Sequence, residues 1–147
     1  MKLSTRSTYG LRAMLGLAIA YETGSVILRE LAESQRLPPT YLEQLMIPLR
    51  KAGLVSASRG VHGGHSLARP PAEITIAEIV EVLEGPLQLV ECTSVASCCW
   101  QPEACALKDL LDEAGEAMLA VLRRTTLADL AQRQRAKEST TAPMYAI

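Results

Sequence analysis

The sequence predicts a mainly α-helical chain carrying one small β-hairpin and a long helix toward its C-terminal end, and three observations support this. Apolar residues recur at helical spacing in four segments before residue 85 and again from Cys105 to Arg124. The period turns extended only around the glycine-rich stretch "GVHGG". With 147 residues, of which 48% are hydrophobic, the chain can bury one true core and belongs among globular proteins rather than disordered ones.

Residues 5 to 21 set Leu11, Met14, Leu15 and Ala18 on one helical face, and Gly24 supplies a stop signal. Residues 26 to 35 repeat Leu28, Leu31 and Ala32 before "RLPP" interrupts them. In "TYLEQLMIPLRKAG", Leu42, Leu45, Met46 and Leu49 make a buried stripe and leave Thr40, Tyr41, Glu43, Gln44, Arg50 and Lys51 outside it. Pro39 suits a first helical turn, whereas Pro48 should kink or loosen the last one. "LVSASR" and "HSLAR" then read as the two strands of a hairpin. Three helices followed by a hairpin is the order of a winged helix-turn-helix.

Residues 75 to 84 form a fourth helix, with Ile76, Ile79, Val80 and Leu83 inward and Gly85-Pro86 ending it. The helix from Cys105 to Arg124 outgrows the small body it follows. Its stripe of Leu107, Leu110, Leu111, Ala114, Met118, Val121 and Leu122 is expected to pair with a second copy; the alternative is packing back on the first and fourth helices. "TTLADLAQ" starts a short last helix capped by Thr126, and the chain from Arg133 onward is expected to be a polar, mobile tail. The organisation expected is a DNA-binding unit over 1–86, a cysteine-bearing loop over 87–105, a dimerisation helix and short last helix over 106–136, and a tail over 137–147.

Charge is divided unevenly. Residues 1 to 72 hold nine Lys/Arg against four Asp/Glu, and the remainder six against twelve, so the front half suits an anionic partner. The apolar run "AMLGLAIAY" is too short for a membrane span and lacks a cleavage site, which leaves a cytoplasmic location as the expectation, with thiols kept reduced.

If residues 27 to 52 are a helix-turn-helix, the third helix is the one that reads a major groove. Gln44 suits adenine, Glu43 suits cytosine, and Thr40 and Tyr41 suit phosphates or bases. Arg59, at the hairpin tip, is placed for a minor groove, with Arg50, Lys51 and Lys2 left for phosphates. Thr40 and Glu43 equally fit a Thr-x-x-Glu capping box, and both readings stand at this point. His62 and His65 read as wing surface or phosphate contacts rather than metal ligands.

All four cysteines, Cys92, Cys98, Cys99 and Cys105, fall within fourteen positions. Neither a paired Cys-x2-Cys zinc knuckle nor a redox Cys-x-x-Cys occurs among them, which speaks against a thiol redox enzyme. Adjacent Cys98 and Cys99 are poorly placed to hold one ion together, so the pattern offers three thiolates plus a ligand from elsewhere, an arrangement iron–sulfur clusters accept ahead of zinc or of reactive thiols.

"MKLSTRSTYGLRAML", "TYLEQLMIPLRKAGLVSASRG", "GGHSLAR", "ITIAEIVEVLEGP" and the cysteine segment resemble the family of winged-helix transcription regulators that includes IscR, NsrR, RirA and CymR, over nearly the whole chain. The resemblance implies a homodimer crossed at the long helix that binds a palindromic double-stranded operator and usually represses. It also implies that three loop cysteines hold an iron–sulfur cluster, 2Fe-2S or 4Fe-4S, sensing iron supply, redox state or nitric oxide. Tyr41, Glu43, Gln44 and Arg59 match positions that contact DNA in the IscR type, with Thr40 in place of a serine. The final spacer matches from Cys99 to Cys105 and the first from Cys92 to Cys98, so the choice between Cys98 and Cys99 stays open. Lys108 stands where IscR has a histidine ligand, and Thr8 where some NsrR proteins use a partner aspartate; the fourth ligand is undetermined. CymR-like members lack the cysteines yet end similarly to "APMYAI", which keeps a second reading in play: a sulfur-metabolism regulator controlled by an enzyme partner or thiol oxidation.

Overall fold

The computed structural model describes residues 3–61, 63–87, 89 and 105–141, which form six α-helices and one two-stranded antiparallel sheet. Helix α1 (Thr5–Ile19) starts at Ser4, whose hydroxyl accepts the Ser7 N–H at 3.2 Å. The Ser4 N–H in turn donates to Glu84 at 2.7 Å, at the end of α4 (Ile76–Glu84), and this bond holds the Glu84 carboxyl below the usual carboxylate range. The first helix is thereby clamped to the fourth.

Helices α2 (Leu28–Gln35) and α3 (Pro39–Lys51) are joined by a tight turn. Arg36 adopts the left-handed conformation there, with φ 53°, and the Leu37 N–H returns to the Ala32 carbonyl at 2.8 Å. A residue with a Cβ pays about 1–2 kcal/mol for that geometry, which the burial of Leu37 offsets. In α3 the periodic stripe is buried as its spacing predicts: Leu42, Leu45, Met46 and Leu49 are all inside. Pro48 does not end the helix. It lies in the last turn, where removing one N–H costs a single intrahelical bond, and its own carbonyl accepts from Ala52 at 3.0 Å.

Strands β1 (Val55–Ser58) and β2 (Gly64–Leu67) pair from Val55 opposite Leu67 to Ser58 opposite Gly64. Val26 extends this ladder by exchanging two backbone hydrogen bonds with His65, each 2.8 Å, which ties the hairpin to the segment entering α2. A Cβ on Gly64 would stand 2.5 Å from the Val26 carbonyl oxygen, so only glycine admits that approach.

At the start of α4, Thr75 and Glu78 form a capping box, and Arg69 reaches the same carboxylate at 2.8 Å. Partial burial pushes the Glu78 pKa up, but the Thr75 N–H and the Arg69 guanidinium outweigh it and hold the group below its ordinary value. Thr75 also bridges to Thr126, with Ile76 N–H to Thr125 and Leu127 N–H to Ile74, each 2.9 Å. Helix α6 (Leu127–Thr141) is pinned there, and its Leu127 and Ala131 enter the same core as Met14, Leu17, Leu31, Leu45 and Ile79.

Two expectations change. The last helix is not short and the chain does not become an irregular tail at Arg133, because α6 continues to Thr141 and Arg135 donates to the Ile19 carbonyl at the C-terminal end of α1, at 3.3 Å. By its packing α6 joins the body formed by residues before 86, since Leu127 and Ala131 lie in that core. Helix α5 (Ala106–Arg124) packs on α4, yet only Leu119 among its residues is buried, while Leu107, Leu110 and Val121 stay exposed. Among the described residues no helix is long and apolar enough to cross a membrane.

Relieving the left-handed residue tests the helix-turn-helix geometry. Arg36→Gly should raise unfolding stability by about 1 kcal/mol in urea titration. A loss of that size would mean that Arg36 makes a stabilising contact exceeding its backbone strain.

Candidate nucleic-acid interface

The burial of one α3 stripe dictates what the other side presents. Thr40, Glu43, Gln44, Ile47, Arg50 and Lys51 are all exposed, whereas Tyr41 is half-buried. The Tyr41 ring meets Tyr9 of α1 edge-on, with centroids 5.8 Å apart and planes at 79°, so α1 fixes where this side chain stands at the margin of the face. The capping alternative for Thr40 and Glu43 is not realised. Pro38 occupies the cap position without a side-chain hydrogen bond, and Pro39, with its preset φ, starts the helix one residue before Thr40. Thr40 therefore lies inside the first turn, and both side chains remain on the open face.

Arg59 is exposed directly after β1, and the turn behind it uses Gly60 at φ 109°. Val61 is 95% exposed at the tip. Lys2 and His62 lie outside the described residues. His65 is not the surface residue expected: it is half-buried in β2, and its Nδ1 is enclosed with no hydrogen-bond partner among the described residues. Burial first, and then the Arg50 charge, hold its pKa below 6.5 and keep the ring neutral at neutral pH. Between the end of α3 and β1 runs an open groove of ≈ 490 Å³ lined by Ile47, Arg50, Lys51, Val55, Ser56 and Ala57. Arg50, Lys51 and Arg59 make the charge of this side positive, and Glu43 is the acidic exception.

Of the thiols, Cys105 is described and the other three, Cys92, Cys98 and Cys99, lie outside the described residues. Cys105 is half-buried at the cap position of α5, its carbonyl accepting the Lys108 N–H at 3.0 Å. Lys108 is engaged by Asp112 one turn on. No group of three or more His, Cys, Asp or Glu side chains gathers at metal-binding distance among the described residues.

Three contributors escaped sequence reading. Ile47 falls outside the core stripe by its position in the period and so could have been flagged; Tyr9 and Val26 carry no local signal of their tertiary roles.

A helix-turn-helix with an open polar face, basic side chains at its end and a hairpin wing defines a winged-helix protein of the DNA-binding class. Residues 3–133 match the Rrf2 family, described as iron-dependent transcriptional regulators, and the chain belongs to that family. It is 41% identical over 131 residues to the HTH-type transcriptional regulator CymR of Bacillus subtilis, covering 89% of this chain and 90% of that one. The solved structure of CymR, the global cysteine regulator of B. subtilis, superimposes with a TM-score of 0.80 at 40% identity, covering 90% of this chain and 98% of that one. IscR of T. potens gives a TM-score of 0.77 at 37% identity, covering 99% and 95%.

Because the folded-state pKa of His65 is lowered, the unfolded chain binds the proton more readily. Its contribution is therefore fully present above about pH 6.5 and declines as pH falls through that value toward the folded pKa. Urea midpoints measured from pH 7.5 to 5.5 should fall more for the wild type than for His65→Gln; parallel curves would contradict the burial assigned to this ring.

Proposed function

We propose that the chain is a homodimeric repressor that grips a palindromic operator with α3 and the wing, and that an iron–sulfur cluster on the cysteine loop sets its affinity. The observation that carries the DNA-reading part is the uninterrupted exposed face of Thr40, Glu43, Gln44, Arg50 and Lys51, backed by a fully buried stripe and flanked by Arg59. Dimer formation through α5 is supported by its apolar residues: Leu107 is 61% and Leu110 59% exposed in the isolated protomer, an arrangement a second copy of the same helix would cover.

The cluster reading rests on the crowding of Cys92, Cys98, Cys99 and Cys105, on the family's description as iron-dependent, and on the position of Cys105. That thiol is half-buried at the cap position of α5, beside the segment that carries the other three cysteines. Cys92, Cys105 and one of Cys98 and Cys99 would be ligands, with a 2Fe-2S cluster preferred to 4Fe-4S. When bound, such a cluster supplies iron that responds to oxidants, nitric oxide and iron supply. A charge change at Cys105 reaches the first turn of α5 directly, and α5 packs on α4, which is clamped to α1.

The similarity to CymR favours a second reading, in which the same fold regulates cysteine or sulfur metabolism through thiol oxidation or an enzyme partner, without a cluster. Both readings place the protein in the cytoplasm.

Anaerobic purification separates the readings. The proposal expects a coloured dimer with visible absorption whose duplex affinity changes when the cluster is lost, and a Cys105→Ala dimer that still binds but no longer switches. A colourless dimer whose affinity follows thiol oxidation supports the second reading and overturns the cluster. Independently, Lys51→Ala should reduce the log–log salt slope of duplex binding by about 0.9 per protomer. An unchanged slope would remove Lys51 from the phosphate contacts.

A further inference from the structure

Ile47 is the unusual member of the α3 face. It is 53% exposed, in a row otherwise made of hydroxyl, carboxylate, amide and cationic groups. A single exposed aliphatic side chain is ordinary on a protein surface, so exposure alone means little. Its position carries more weight. At 100° per residue, Ile47 lies within about 20° of Thr40 and 40° of Glu43 around the helix, and about 4.5 Å along the axis from Gln44. It therefore stands near the centre line of the reading face. Arg50 and Lys51 follow it in the next turn, and the three share a groove with the apolar side chains of Val55 and Ala57. Ile47 thus forms one wall of an open groove whose other wall is β1, and more than half of the residue is exposed. A β-branched side chain has few χ1 rotamers to lose on contact.

We infer that Ile47 is a specificity-determining residue that packs against the C5 methyl group of a thymine in the major groove. The inference rests on the assignment of α3 as the DNA-reading helix. The flanking cations point to a polyanion as the occupant, and among the base edges displayed in a major groove the thymine methyl is the apolar one. The groups to either side of Ile47 make hydrogen bonds or ion pairs; Ile47 can make neither. The thymine should lie within a base pair or two of the base that Gln44 contacts, given their separation along the helix axis.

The test uses the full chain and a duplex enriched by it from a random-sequence pool, with each thymine replaced in turn by deoxyuridine, which deletes only the methyl group. For the wild type, one replacement in each half-site should weaken binding roughly four-fold, the value of one buried methyl, while the others have no effect. Ile47→Ala should bind the thymine and deoxyuridine duplexes equally and bind the parent duplex more weakly by a similar factor. Ile47→Val, one methyl shorter and the milder change to the fold, should show an intermediate penalty. Wild-type indifference to every replacement, or the same penalty retained in both variants, overturns the inference while leaving DNA binding intact. Failure of the wild type to enrich any duplex at low salt instead overturns the assignment of α3 itself.

Discussion

The burial of Leu42, Leu45, Met46 and Leu49 against α1, α2 and α4 is the constraint from which the remaining geometry follows. Four apolar side chains at helical spacing admit one rotation of α3 about its axis, and that rotation turns Thr40, Glu43, Gln44, Ile47 and Lys51 outward. Removing any one of the four would cost about 2–5 kcal/mol in cavity and transfer terms, so the reading face is held at the expense of the core rather than by contacts of its own. The left-handed Arg36 and the Pro38-Pro39 pair then set where α3 begins relative to α2.

The wing is aligned with that face by backbone pairing rather than by side chains. Val26 bonds to His65 on one side of β2 and β1 bonds on the other, and Gly64 is needed because any Cβ would meet the Val26 backbone. Arg59 consequently projects from a hairpin anchored to the entrance of the helix-turn-helix. At the opposite end, the capping boxes of α4 and α6 are stitched together through Thr75 and Thr126, which draws α6 into the core. Helix α5 stands apart from this network, with one buried residue and an open apolar side. The proposed pairing with a second copy of the chain would cover that side.

Much of this was legible beforehand because it is written in periodicity. The α3 stripe, the hairpin and the Thr75 helix all follow from local spacing, and the structure places them within a residue or two. The parts that were not legible depend on pairs distant in sequence. Glu84 capping Ser4, Tyr9 meeting Tyr41 and Arg135 bonding to Ile19 leave no trace in any short window. The tail was misjudged because "AQRQRAKES" is polar all round, and polarity alone cannot distinguish a solvated helix anchored at its start from an irregular segment. The capping box at Thr40 failed for the opposite reason: the local pattern fits, but Pro39 moves the helix start. At the candidate site, the residue types and the outward position of Ile47 were readable from the helical period, whereas the enclosure of His65 was not, since it depends on the pairing of β2 with β1 and Val26.

Hydroxyl-radical footprinting of an enriched duplex at low salt tests the central claim, that a core-locked α3 is presented twice by a two-fold assembly. Two protected patches should appear on the duplex, about one helical turn or a multiple of it apart, at a stoichiometry of two chains per duplex. A single patch from one chain, or no protection, would contradict it.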